Sequence, residues 1–146
     1  MGYQSTNGHQ RAYYYFGHYA LPDGAVITNA SLQLHQEAGV SNGQQVHTTA
    51  ITSSWSHSTI SWNTAPSICV SCMPAVDALT TNGMITQDLT PIFQARYTRS
   101  TIDWRVDYGF TTRLVNDTGT TGSADEVVFF SASEGQVDLR PQLILT

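Results

Sequence analysis

Apolar and polar residues alternate in short runs along much of this chain. Ala30-Ser-Leu-Gln-Leu-His35 is the cleanest case: Ala30, Leu32 and Leu34 share one face, Ser31, Gln33 and His35 the other. A period of two marks a strand with one side in a core. Arg11 to Phe16 reads as a strand dense in aromatics. Gln45 to Ile51, Met84 to Leu89, Tyr108 to Val115, Glu126 to Ala132 and Gln142 to Leu145 complete the set. Leu21-Pro-Asp-Gly-Ala25 and Gly39 to Gln44 are turns, because proline presets φ and glycine tolerates its positive values. Residues 90–97 are the one stretch suited to a helix, with Thr90 as its cap and Pro91 at its first position. Met1 to Gln10 is polar and turn-like, and Ser67 to Asn82 is a long loop. Short, evenly spaced strands with turns between them predict an all-β antiparallel sandwich or barrel. The 146 residues fit one domain, with no repeat and no linker.

Composition narrows the function. Charged residues are 12% of the chain and apolar ones 40%, so a polar surface surrounds a real core and the chain is no disordered segment. There is no lysine; the six basic residues are Arg11, Arg96, Arg99, Arg105, Arg113 and Arg140. Schiff-base chemistry, a phosphate-loop lysine and a lysine isopeptide crosslink are excluded. A net charge of −5 without a basic patch argues against nucleic acid as partner. No apolar run approaches the roughly 20 residues of a membrane helix, so no membrane insertion is expected. No signal peptide is visible, so secretion would require one upstream.

Cys69-Val-Ser-Cys72 is the one cysteine pair. Prolines flank it and no helix follows, which removes the usual means of activating a redox thiol. Zinc would need two further ligands. A loop disulfide between Cys69 and Cys72 is the leading reading, with free thiols the alternative. His9, His18, His35, His47 and His57 lack metal-ligand spacing. No nucleophile elbow and no marked carboxylate pair is present, so no catalytic residue is assigned and no enzyme is expected. No cofactor is called for. A structural calcium ion is the one metal left open, with Asp117, Asp125 and Glu126 as oxygen donors.

The order of motifs is distinctive. An arginine opens an aromatic strand at Arg11, Leu-Pro-Asp-Gly-Ala25 follows, and then Asn29-Ala-Ser-Leu-Gln-Leu34. Trp55, Ile60-Ser-Trp-Asn-Thr-Ala-Pro66, Trp104, Asp107-Tyr-Gly-Phe110, Phe130-Ser-Ala-Ser-Glu134 and Arg140-Pro-Gln-Leu143 come next. From Arg11 to the end, the chain resembles the DNRLRE-domain family of disaggregatase-related modules. The resemblance implies a jelly-roll β-sandwich, found in secreted and surface proteins of bacteria and archaea. Some of its relatives are carbohydrate-binding modules. The cysteine pair departs from the family pattern. So does the start: further strands normally precede the arginine, and here only ten residues do.

The resemblance implies a non-catalytic extracellular module that binds a polysaccharide or cell-surface glycan. The alternative is a structural block of a surface stalk or filament, self-associating through an open sheet edge by strand donation. Ligand candidates are Tyr13 and Tyr15, on the face away from Phe16, with Gln33 and His35 on the outward side of the next strand. Trp104 and Tyr108 join them. A cross-strand aromatic ladder is the competing role for the tyrosines. Trp55, Trp62 and Asn63 are read as structural, the tryptophans as core residues at strand junctions. Glu134 and Arg140 are read as a structural pair, by ion pairing or by backbone hydrogen bonds.

Overall fold

The computed structural model describes residues 2–4, 8–17, 26–40, 45–71, 75–77, 83–97, 108–114 and 126–146. Within them run ten strands and one α-helix. In chain order these are β1 (Gly2–Gln4), β2 (Gly8–Gln10), β3 (Ala12–Tyr14), β4 (Ala30–Val40), β5 (Gln45–Ala50), β6 (Ala75–Asp77), β7 (Gly83–Asp88), α1 (Thr90–Tyr97), β8 (Phe110–Leu114), β9 (Glu126–Phe129) and β10 (Gln142–Leu145). Every pairing is antiparallel. One sheet has six strands and the other four, in the order β3-β8-β5-β6. The all-β sandwich expected from the alternation is the architecture found.

β4 is the spine of the larger sheet. β7 runs along one side of it; β10 and β9 lie end to end along the other, β10 on Ala30–Gln33 and β9 on Gln36–Val40. The strand is longer than its clean alternation suggests: a register shift between Gln36 and Ala38 lets it continue to Val40, into the first two residues of the stretch expected to be a turn. β9 then carries β1, and β1 carries β2. The stretch expected to be a polar turn therefore contains two paired strands, Gly2–Gln4 and Gly8–Gln10, that extend the sheet. Both strands open on glycine, which has little strand propensity. A pairing partner in β9 holds them instead, and composition does not show it. Two short strands, β1 and β2, thus precede Arg11.

The two sheets meet through Ala30, Leu32, Leu34, Ile85 and Val127 on one side and Val46, Ala50, Phe110 and Leu114 on the other. Leu89, just before α1, and Ile92 and Phe93 in its first turn join this core, and the Phe93 and Phe110 rings lie 5.8 Å apart. Thr90 does not cap its helix. Its hydroxyl accepts from Ala30 N at 2.9 Å, while the Asp88 carboxylate accepts from Thr90 N at 2.9 Å. Those bonds to Thr90, side-chain and backbone, hold the exposed Asp88 carboxyl below its ordinary range.

A polar bridge crosses the core. The Thr48 hydroxyl donates to Gln87 Oε1 and lies 2.8 Å from Thr112 Oγ1. Gln87 Nε2 donates to Val46 O at 2.8 Å. These buried groups partner one another, as buried polar atoms must. The Tyr14 phenol reaches the same Thr112, and burial pushes its pKa well above the ordinary tyrosine value. Gly109, at φ +82°, precedes β8; a Cβ there would collide with the Tyr14 carbonyl. Only glycine meets both the positive φ and the close approach. Cys69 is disulfide-bonded; Cys72, the chain's other cysteine, lies outside the described residues.

Candidate functional site

β3 divides its side chains between two worlds. Tyr14 and Phe16 turn inward and pack against the core. Arg11, Tyr13 and Tyr15, in the opposite phase, face away from it. The expected outward face of Tyr13 and Tyr15 is thus the one observed. Arg11 shares that phase, and the i, i+2, i+4 spacing would have found it.

The loop of residues 52–67 lies over this outer face. Its neck is tied by the Ile51–Ile68 bridge, by Thr52 N to Ser67 O at 2.8 Å and by Cys69 N to Ala50 O at 3.0 Å. A compact loop with joined ends is a stable platform. Trp55 anchors it: its indole nitrogen donates to Tyr108 O at 2.7 Å, and its ring lies 5.5 Å from that of Tyr13. Thr49 and Thr111 belong to the outer phase, yet both are buried.

At the loop tip the chain turns through a short 3-10 segment, Trp62–Thr64. Ser61 N donates to Thr64 Oγ1 at 2.8 Å, and Thr64 Oγ1 donates to Thr59 O at 2.9 Å. Such local side-chain bonds replace a ladder and fix the turn. They leave the Trp62 side chain 47% exposed, with the Arg11 guanidinium 4.4 Å from its ring centroid. Trp62 is therefore not the core residue expected from its motif. The turn that positions it is held by hydroxyls, so its ring need not enter the core. Trp55 is half-buried under the same loop. Asn63 is exposed beside Trp62. Arg11 and Trp62 pack together, and Tyr13 and Tyr15, the latter 53% exposed, share the phase of Arg11 on β3.

On its other flank, β3 borders a cleft of about 490 Å³. Tyr13 to Phe16 form one wall, and Val128 to Ala132 with Pro141 form the other. Nothing in the sequence separations marks these two segments as neighbours.

The polar-aromatic groove expected from Tyr13, Tyr15, Gln33 and His35 is not formed. Leu32 and Leu34 point into the core from the larger sheet, so Gln33 and His35 stand on its outside, while the tyrosines stand outside the smaller one. Alternation assigns a face but not a sheet. His35 Nδ1 is buried there with no hydrogen-bond partner. Tyr108 is half-buried and contributes its carbonyl to Trp55. Glu134 and Arg140 are joined by backbone hydrogen bonding: Arg140 Nε donates to Glu134 O at 2.7 Å, and the Glu134 carboxylate accepts from Gly135 N at 2.8 Å. Trp104, Asp117 and Asp125 lie outside the described residues, and Glu126 opens β9. Among the described residues no three of His, Cys, Asp or Glu gather as a metal site, and no helix is long and apolar enough to cross a membrane.

The family model of carbohydrate-binding module family 96 matches residues 2–146, and the chain belongs to that family. No curated protein and no solved structure matches the chain.

Proposed function

We propose that this member of carbohydrate-binding module family 96 is a non-catalytic, extracellular module that holds a polysaccharide against the surface of Arg11, Tyr13, Tyr15 and Trp62. The observation that carries the reading is the exposure of Trp62 on a turn fixed by hydrogen bonds, with Arg11 against its ring. A rigid indole loses little conformational entropy when a ligand covers it. Sugar rings present C–H faces that pack on such a surface, and their hydroxyls need donors and acceptors at its rim. The Arg11 guanidinium is a fixed fork of donors, suited to sugar hydroxyls or to a carboxylate. Neutral and acidic cell-wall polysaccharides both fit this chemistry. Carbohydrate-binding modules are usually non-catalytic and often extracellular, which supports both parts of the reading. The DNRLRE-type resemblance agrees with it, since some of those modules bind carbohydrate too.

The test is retardation of the purified chain in gels containing neutral or acidic polysaccharides. Trp62→Ala is expected to keep its circular dichroism spectrum and lose about tenfold or more in affinity, the equivalent of about 1.4 kcal/mol. A folded Trp62→Ala chain that is retarded like the parent overturns the assignment of this surface.

A further inference from the structure

We infer that the cleft on the other flank of β3 is a second binding site, distinct from the Trp62 surface, and that it takes a short neutral saccharide. The inference rests on reading the chain as a glycan binder; the cleft shares Tyr13 and Tyr15 with the Trp62 surface, but Trp62 and Arg11 do not line it, and Phe16, Val128 to Ala132 and Pro141 belong to it alone. At about 490 Å³ the cleft falls in the range of roughly 300–1,000 Å³ common to small-ligand sites. It opens where two strands run out. β3 is an edge strand, paired with β8 alone among the described strands. β9 ends at Phe129, after which Phe130 N donates one more bond to His35 O at 3.0 Å and the chain leaves the sheet.

The lining decides the ligand class. Tyr13, Tyr14, Tyr15, Phe16, Phe129 and Phe130 supply rings, and no described lining residue is charged. A carboxylate or ammonium entering such a place would give up water without gaining an opposite charge. A wholly apolar ligand would leave the polar rim unmatched. That rim contains Tyr15, which is exposed, and Ser131, whose hydroxyl already lies 2.8 Å from that of Ser133. The Tyr14 hydroxyl is turned away to Thr112. A neutral sugar combines C–H faces for the rings with hydroxyls for the rim. The two sites therefore select differently: the Trp62 surface includes a cation, and the cleft does not.

The experiment titrates the whole chain with cellotriose, mannotriose, xylotriose and, as the charged control, trigalacturonate, followed by amide chemical shifts and calorimetry. At least one neutral trisaccharide is expected to shift Ala12–Phe16 and Val128–Ala132. Ala132→Trp, at an exposed position of the lining, is expected to weaken that binding about tenfold or more by filling the cleft. Trp62→Ala should leave it within about twofold. If Ala132→Trp does not fold, Ser131→Arg places a charge at the same rim. The inference is overturned if no neutral trisaccharide perturbs those residues. It is equally overturned if a folded cleft variant binds unchanged, or if Trp62→Ala alone abolishes trisaccharide binding. Failure of the Trp62 surface reads out separately, as polysaccharide retardation that Trp62→Ala does not alter.

Discussion

Replacing Trp55 by phenylalanine tests whether this residue pins the loop that displays Trp62. The indole nitrogen donates to Tyr108 O at 2.7 Å, and the ring rests 5.5 Å from Tyr13. Phenylalanine keeps a ring there and removes the donor. Loss of the hydrogen bond costs about 1 kcal/mol. The smaller ring gives up part of the contact with Tyr13, about 0.5–1 kcal/mol more. Because Trp55 is only half-buried, the total stays well below the roughly 3–5 kcal/mol of a fully buried tryptophan truncated to alanine. The expected destabilisation is about 1.5–2 kcal/mol, or about 5 °C in melting temperature for a chain of this size. Urea unfolding followed by far-ultraviolet circular dichroism measures it without relying on the altered fluorescence. The midpoint should fall while the slope stays constant. Affinity for polysaccharide should drop less than in Trp62→Ala, since the neck of the loop remains tied by Ile51–Ile68 and Thr52–Ser67. A Trp55→Phe chain within about 0.3 kcal/mol of the parent would refute the anchoring argument. So would complete unfolding, which would make Trp55 a core residue after all.

Three further outcomes follow from the packing. Gly109→Ala forces a side chain into positive φ and against the Tyr14 carbonyl, so thermal melts should show a loss of about 2 kcal/mol or more. Thr48→Val keeps the shape but removes the hydroxyl shared with Gln87 and Thr112; a loss of about 1–3 kcal/mol in urea is expected, and an unchanged midpoint would show that the bridge is dispensable. Tyr14 has its folded pKa raised by burial. Its contribution to stability is therefore full below the ordinary tyrosine value of about 10 and declines as pH rises above it, because the unfolded phenol ionises first. Urea midpoints between neutral and strongly alkaline pH should fall more steeply for the parent than for Tyr14→Phe, and equal slopes would contradict the assignment.

Local order in the sequence was enough for the class of fold. The alternation from Ala30 to His35 chooses the buried face of β4, the aromatic strand splits into Tyr14 and Phe16 against Tyr13 and Tyr15, and residues 90–97 suit a helix, because these are properties of neighbours along one strand or turn. Tertiary structure decided the rest. Gln33 and His35 share the outward phase of Tyr13 and Tyr15 but sit on the other sheet, and periodicity carries no information about which sheet a strand joins. The paired strands Gly2–Gln4 and Gly8–Gln10 join the sheet through Gly2 against Glu126 of β9, more than a hundred residues away. Trp62 is a large apolar residue that burial statistics send to the core, yet the hydroxyls of its own turn and the guanidinium of Arg11 keep it at the surface. Whether a tryptophan packs or displays itself is settled by the energy of the whole loop, and that depends on contacts no local pattern encodes.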